Sequence, residues 1–269
     1  MTDFRGSHVL ITGAASGIGR LMALGAAARG ARLTLLDRDG ARLQTVKAEL
    51  ANAGSDAAIF EVDLSDRVVI QAVTERVLAE RGPVDILVNN AGIVAGAPLL
   101  ENTEEAIERT FRVNTLALFW MTRAFLPTMI QRGKGHIVTV ASAGGLVGTA
   151  RLTDYCASKF AAVGFDESLR MELKRLGHPI RTTVVCPYYI DTGMFRGVRS
   201  RFSWLLALLK PEYVTGRILG AIAHNRARLV MPRFLILLPL VRILPPGPFD
   251  ALMRFLGVNR SMDEFVGHG

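Results

Sequence analysis

The sequence predicts an α/β fold: a doubly wound parallel sheet of about seven strands, helices on both faces and an apolar extension at the C-terminus. Three observations carry this. Short apolar runs alternate in regular order with longer stretches of helical periodicity, the pattern of βα units joined by right-handed crossovers. The short runs are continuously apolar rather than alternating, as strands covered on both faces are. A length of 269 residues, 50% hydrophobic and 21% charged, suits one domain (1–269) with a full core and falls short of what two would need.

"HVLIT" (8–12) reads as the first strand. The turn after it, "GAASGIG", holds Gly13, Ser16, Gly17, Ile18 and Gly19 and opens a helix over 17–29. Glycines there permit a tight turn and bring a phosphate up to the N–H groups of the helix N-terminus. The second strand (31–37) ends on Asp37. A carboxylate at that spacing accepts hydrogen bonds from an adenosine ribose 2′-OH and repels a 2′-phosphate. Arg38 beside it offers a 2′-phosphate a partner, but no Lys or Arg lies between Gly13 and Gly19. NAD is therefore favoured over NADP.

A helix (40–53), a strand (57–63), a helix (66–80) and a strand (85–90) follow. A long helical stretch (103–131) leads to a strand at 136–142, a helix at 153–176 and a strand at 181–187. A helix at 211–225 and a weaker strand at 228–232 complete the series. Pro187 ends the regular alternation. The stretch 188–210 is expected as a substrate loop or lid, and 233–269 as an apolar, basic extension.

Chemistry is carried by "YCASK", which puts Tyr155 and Lys159 on one helix face. A phenol is a poor base at neutral pH, and a neighbouring ammonium favours its ionised form. Ser142, at the end of the fifth strand, can hold a substrate oxygen while Tyr155 exchanges its proton. Asn114 sits within the long helical stretch, either as a satisfied packing residue or to hold a water that relays a proton from Lys159.

Thr12-Gly-x-x-x-Gly-x-Gly19, Asn89-Asn90-Ala91-Gly92, Asn114, Ser142 and Tyr155-x-x-x-Lys159 run in the order and spacing of the short-chain dehydrogenase/reductase family, which the chain resembles over about residues 5–232. The resemblance implies a Rossmann-like sheet and an Asn114-Ser142-Tyr155-Lys159 tetrad. It implies Asp63 and Leu64 beside the adenine, and Asn90, Ala91 and Gly92 along the cofactor. It also implies Pro187, Ile190 and Thr192 near the nicotinamide, and a homo-oligomer, with 103–131 and 153–176 as candidate pairing helices. Tyr188 departs from the family's usual Gly after the proline and sets an aromatic near the reacting carbon. "YCASKFAAVGF" and "CPYYIDTGMF" are similar to the retinol dehydrogenase and 17-beta-hydroxysteroid dehydrogenase branch. This implies a retinoid, steroid or lipid-like alcohol. A reductase of a small polar keto compound and a non-catalytic nucleotide- or lipid-binding scaffold are the alternatives.

Charge is uneven. Residues 196–260 hold 11 Lys and Arg against 2 Asp and Glu, whereas the rest holds 21 against 22. Basic charge mixed with apolar runs, as in "FRGVRSRFSWLLALLK" and "RFLILLPLVRILPPGPF", suits an anionic membrane surface better than nucleic acid, for which no recognition motif is present. Prolines and Arg242 interrupt the second run, so it is too short to span a bilayer. A membrane-surface foot, a pocket wall and buried core are its three readings. The opening residues show no secretory leader, and Cys156 and Cys186 have no metal or disulfide spacing. A cytoplasmic chain, with or without peripheral membrane contact, is expected.

Overall fold

A computed structural model describes residues 1–199, 201–202 and 207–267. Seven strands form one parallel sheet in the order β3-β2-β1-β4-β5-β6-β7. They are β1 (His8–Thr12), β2 (Arg32–Asp37), β3 (Ala57–Glu61), β4 (Ile86–Asn89), β5 (His136–Val140), β6 (Arg181–Pro187) and β7 (Arg228–Met231). All seven predicted strands are present, most of them trimmed by a residue or two. The predicted β5 stops at Val140, so Ser142 lies beyond the strand.

Helices cover both faces. α1 (Gly17–Ala27), α2 (Gly40–Asn52) and α7 (Pro211–Ala223) bury Met22, Leu43, Val46 and Ile218 against one side. α3 (Arg67–Arg81), α5 (Ala117–Arg132) and α6 (Thr153–Arg175) bury Val73, Met121, Phe125 and Leu173 against the other. Capping follows the sequence. Asp39 and Asp66 accept N–H groups in the first turns of α2 and α3, and Gly133 ends α5 in the left-handed region.

The expected single helix over 103–131 is broken. α4 (Glu104–Phe111) passes into a π turn, Arg112–Leu116, before α5. Such turns keep the apolar periodicity on either side, so hydropathy does not reveal them. Asn114 stands in the middle of this turn.

β1 pairs with β2 on one side and β4 on the other, so the connections diverge between β1 and β4. A crevice opens there at the carboxyl ends of the strands, the place where such sheets bind ligands.

After β7 the chain forms a 3₁₀ turn (Arg233–Leu237), α8 (Leu238–Val241), α9 (Pro246–Phe255) and a second 3₁₀ turn (Val258–Arg260). Leu238 and Met253 are buried with Leu118, Ala141, Val184 and Cys186. Ile236, Leu237, Leu240, Ile243 and Phe255 remain largely exposed. The segment is thus core and wall on one side and open apolar surface on the other. Among the described residues no helix is long and apolar enough to cross a membrane. Residues 200 and 203–206 of the basic apolar run at 195–210 lie outside the described residues.

Candidate active site

The glycine turn is held by its neighbours. Thr12 Oγ1 accepts the N–H groups of Asn90 (2.9 Å) and Ala91 (3.0 Å), and Asn90 Nδ2 donates to the carbonyls of Thr12 (2.9 Å) and Gly13 (3.1 Å). These bonds lock the end of β1 to the end of β4. A Cβ on Gly13 would meet Ala91 Cα at 2.9 Å, and one on Gly19 would overlap the Gly13 carbonyl. Ser16 precedes α1 in extended geometry, with no side-chain cap and no acidic residue in the first turn. The leading N–H groups of α1 thus face the crevice without a side-chain acceptor, as a diphosphate requires.

Asp37 does more than line the cleft. Its Oδ2 accepts the Ala15 N–H (2.9 Å) and its Oδ1 the Asp39 N–H (3.1 Å). Each oxygen retains a second lone pair for a ribose hydroxyl. Arg38 and Arg42 line the same end. Further along, Asp63 pairs with Arg109 at 2.9 Å. Burial pushes this carboxyl up, but hydrogen bonds from Ser65 and Arg109 outweigh it and leave it below the ordinary carboxylate range.

At the other end, Ser142 Oγ accepts the Gly144 N–H (3.0 Å) and caps the short 3₁₀ turn Ala143–Gly145. Ser142 also lies close enough to the Tyr155 phenol to favour its ionised form. Burial pushes that phenol above its ordinary value, and Ser142 opposes this only in part. Lys159 Nζ lies 5.7 Å from the Tyr155 ring centroid and donates to the Val140 carbonyl at 3.0 Å. Lys159 is itself buried, which brings its ammonium down to about 8.

Asn114 lies behind the crevice. Its Oδ1 accepts the Ile93 N–H (2.8 Å), and its Nδ2 donates to the Ile93 carbonyl (2.9 Å) and Ser158 Oγ (3.1 Å). Ser158 in turn donates to the Tyr155 carbonyl at 2.7 Å. The space over Gly92 connects these groups: a Cβ there would stand 3.3 Å from Lys159 Nζ and 3.4 Å from Asn114 Oδ1.

The crevice is a cleft of about 930 Å³. Every residue expected at the site lines it except Asn114: the glycine turn, Asp37, Arg38, Asp63, Leu64, Asn90 to Gly92, Ser142, Tyr155, Lys159, Pro187, Ile190 and Thr192. The stretch after β6 folds back over the glycine turn, so the Thr192 side chain stands where a Cβ on Gly17 would touch it at 3.5 Å. Beyond Tyr155 the walls turn apolar. Tyr189 and Phe195 meet edge to face (4.8 Å), and Phe195 meets Tyr155 likewise (5.7 Å). Leu235, Leu238, Met253 and Val258 close the opposite side. Sequence reasoning did not single out Ser158, Arg109 or Tyr189, and offered a pocket wall only as one of three readings of 233–249. Only the aromatic pair in "PYYIDTGMF" hinted at Tyr189.

Residues 7–202 match the family pattern described as short chain dehydrogenase. The chain is 42% identical to short-chain dehydrogenase/reductase family 16C member 6 of Bos taurus, over 98% of this chain and 84% of that protein. It is also 42% identical to retinol dehydrogenase 10 of Homo sapiens, over 97% and 85%. Among solved structures it resembles a short-chain dehydrogenase/reductase from Burkholderia phymatum in complex with NAD (TM-score 0.82, 29% identity, 90% of this chain and 95% of that one). A Sphingobium yanoikuyae short-chain dehydrogenase in complex with NADPH is comparably similar (TM-score 0.78, 29% identity, 92% and 95%). With a braced glycine turn, a Ser-Tyr-Lys cluster across the cleft and these likenesses, the chain belongs to the short-chain dehydrogenase/reductase family, in its retinol dehydrogenase-like branch, and is an oxidoreductase acting on CH–OH groups with NAD(P).

Proposed function

We propose that the enzyme interconverts an apolar alcohol, of retinoid, steroid or lipid-like class, and its carbonyl, with NAD preferred over NADP. The observation that carries the substrate class is the apolar, aromatic end of the cleft directly beyond Tyr155 and Ser142. The proportions suit a ligand anchored by one oxygen and otherwise held by apolar surface.

NAD supplies the hydride acceptor when bound, and the residues present fit it. The uncapped start of α1 with Ser16 to Gly19 would hold the diphosphate, and Asp37 the adenosine ribose. Asp63 and Leu64 would lie beside the adenine, Asn90 to Gly92 along the dinucleotide, and Pro187, Ile190 and Thr192 at the nicotinamide. Arg38 remains the nearest partner for a 2′-phosphate, and Asp37 outweighs it because its charge faces the ribose position from two backbone-fixed oxygens.

Ser142 and Tyr155 are the groups that hydrogen-bond the substrate oxygen, and Tyr155 takes or returns the hydroxyl proton. Burial keeps the proton on Tyr155 in the free chain, which suits delivery to a carbonyl. For alcohol oxidation the Lys159 ammonium is the charge placed to offset that burial. The space over Gly92 suits a water between Lys159 and Asn114, which has the polar partners such a water needs. The test is a screen of retinol, steroids and fatty alcohols with NAD, following reduced nicotinamide. Turnover confined to small hydrophilic substrates rejects the reading.

The open apolar face supports a second, compatible reading: peripheral contact with an anionic bilayer. Ile236, Leu240, Ile243 and Phe255 are exposed beside Arg233 and Arg254. Arg242 does not contribute, because its guanidinium donates to the Leu146 carbonyl (3.0 Å) and stacks on Phe160. Co-sedimentation with anionic vesicles should fall when the four apolar residues are made Ser, and unchanged binding rejects the contact. A homo-oligomer through α5 and α6 is expected and is read by light scattering.

A further inference from the structure

The last described residues reach back to the site from far along the chain. Met262 is 1% exposed and packs in one cluster with Leu152, Tyr155 and Cys156, against Tyr189 and Phe195. Its neighbour Ser261 is 2% exposed. A polar side chain that deeply buried is expected to serve a partner, and Ser261 serves two. Its Oγ donates to the Val258 carbonyl at 2.9 Å, and it lies 3.1 Å from the Tyr189 hydroxyl. A serine hydroxyl has one proton, so the Tyr189 phenol is the donor in the second bond. Tyr189 belongs to the stretch after β6, and Val258 to the C-terminal wall. Both line the cleft.

We propose that Ser261 is a specificity-determining positioning residue: its hydroxyl clamps Tyr189 to the C-terminal wall and so sets the shape of the substrate end of the cleft. The effect passes through Tyr189 to Phe195 and thence to Tyr155, whose rings meet edge to face in sequence. Backbone ties run alongside. The Arg199 N–H donates to the Ser261 carbonyl (3.1 Å), and the Val266 N–H to the Arg196 carbonyl (3.2 Å). The Arg199–Glu264 ion pair adds little, because both side chains are more than half exposed. Ser261 and Val258 lie outside residues 7–202, the part that matches the family pattern, whereas Tyr189 lies within it, so the clamp ties the C-terminal segment to the common domain.

The inference rests on the reading that the apolar end takes the substrate, and the test separates the two. Wild type, Ser261→Ala, Tyr189→Phe and the double variant are compared on slender and bulky apolar alcohols with NAD. Each single variant should raise KM for the preferred bulky alcohol about 5-fold, the factor matching one net hydrogen bond, with kcat and NAD affinity little changed. Preference for bulky over slender substrates should shrink by a similar factor. The double variant should be no worse than Ser261→Ala, which already removes the bond lost in Tyr189→Phe together with the bond to Val258. Additive losses, or unchanged preference, overturn the clamp. If the wild type turns over no apolar alcohol, the substrate reading fails, and hydrogen–deuterium exchange still decides the clamp. Ser261→Ala should then speed exchange in both 188–199 and 258–266 while β1 and β4 stay protected. Faster exchange in 258–266 alone, or in neither segment, overturns it.

Discussion

Replacing Asp37 by alanine separates two roles that the structure gives one carboxylate. The first is internal: Asp37 accepts the N–H of Ala15, a residue 5% exposed, and that of Asp39. Stranding a buried N–H costs about 1–3 kcal/mol, so the glycine turn should loosen and the melting temperature fall. The second is the proposed bond to the ribose 2′-OH. A hydrogen bond to a charged acceptor contributes about 1.5–3 kcal/mol, or roughly 10- to 100-fold in Kd. Loosening weakens NADH and NADPH alike and cancels in the ratio of their affinities. Loss of the ribose bond weakens NADH only, and loss of the negative charge relieves repulsion of NADPH only. The ratio should therefore move toward NADPH by at least about 10-fold. Fluorescence titration of both reduced cofactors, on wild type and variant, reads this directly. An unchanged ratio, or a wild type that already prefers NADPH, refutes the reasoning.

Other substitutions probe the buried charges behind the cleft. Burial lowers Lys159 from 10.5 to about 8, so the folded chain binds fewer protons than the unfolded one between those values, and stability should rise with pH across that window. Lys159→Met should abolish this slope and add on the order of 2 kcal/mol of stability at neutral pH, while turnover falls; an intact slope in thermal melts contradicts it. Asp166, 1% exposed on the buried face of α6, is raised by burial from 3.8 to about 7, and its bond from Thr182 (3.3 Å) offsets this only in part. Its folded-state proton stabilises the chain below about pH 4, and that stability drains away as pH rises through 7. Asp166→Asn should flatten that trend and melt higher than wild type at pH above 7; equal melting curves would speak against it. Gly92→Ala puts a Cβ 3.3 Å from Lys159 Nζ and 3.4 Å from Asn114 Oδ1 and should lower kcat at saturating NAD about 10-fold or more; unchanged kcat removes the water relay from the mechanism.

The parts legible in the sequence were those set by local pattern. Strands buried on both faces need continuous apolar runs, and the glycine turn needs its spacing, so β1 to β7 and the dinucleotide end could be read directly. Helix spacing made Tyr155 and Lys159 legible as one face, whereas Ser142, which lies beyond the end of β5, was joined to them through the family resemblance. The π turn was not. It changes which carbonyl each N–H meets without changing the apolar period, and it turns Asn114 onto the Ile93 backbone. The mixed character of 233–249 was not legible in composition, because apolar residues face both ways there: Leu238 inward, Leu240 and Ile243 outward. The link from Tyr155 to Met262 spans most of the C-terminal third of the chain, and no local pattern encodes it. The depth at which Tyr155 is buried was not legible for a related reason. Proximity to Lys159 is visible in "YCASK", whereas the burial that overrides it arises from Leu152, Phe195 and Met262 packing around the ring.

One comparison weighs the mechanism as a whole: wild type and Tyr155→Phe, each given NAD and the best apolar alcohol from the screen, with reduced nicotinamide followed in a single turnover. The wild type should form it readily. The variant should bind NAD as well as wild type and form reduced nicotinamide about 100-fold more slowly or worse, as befits loss of the proton-transferring group. Reduced nicotinamide formed by the variant at the wild-type rate would contradict the assignment of Tyr155 and, with it, the chemistry built on Ser142, Lys159 and Asn114.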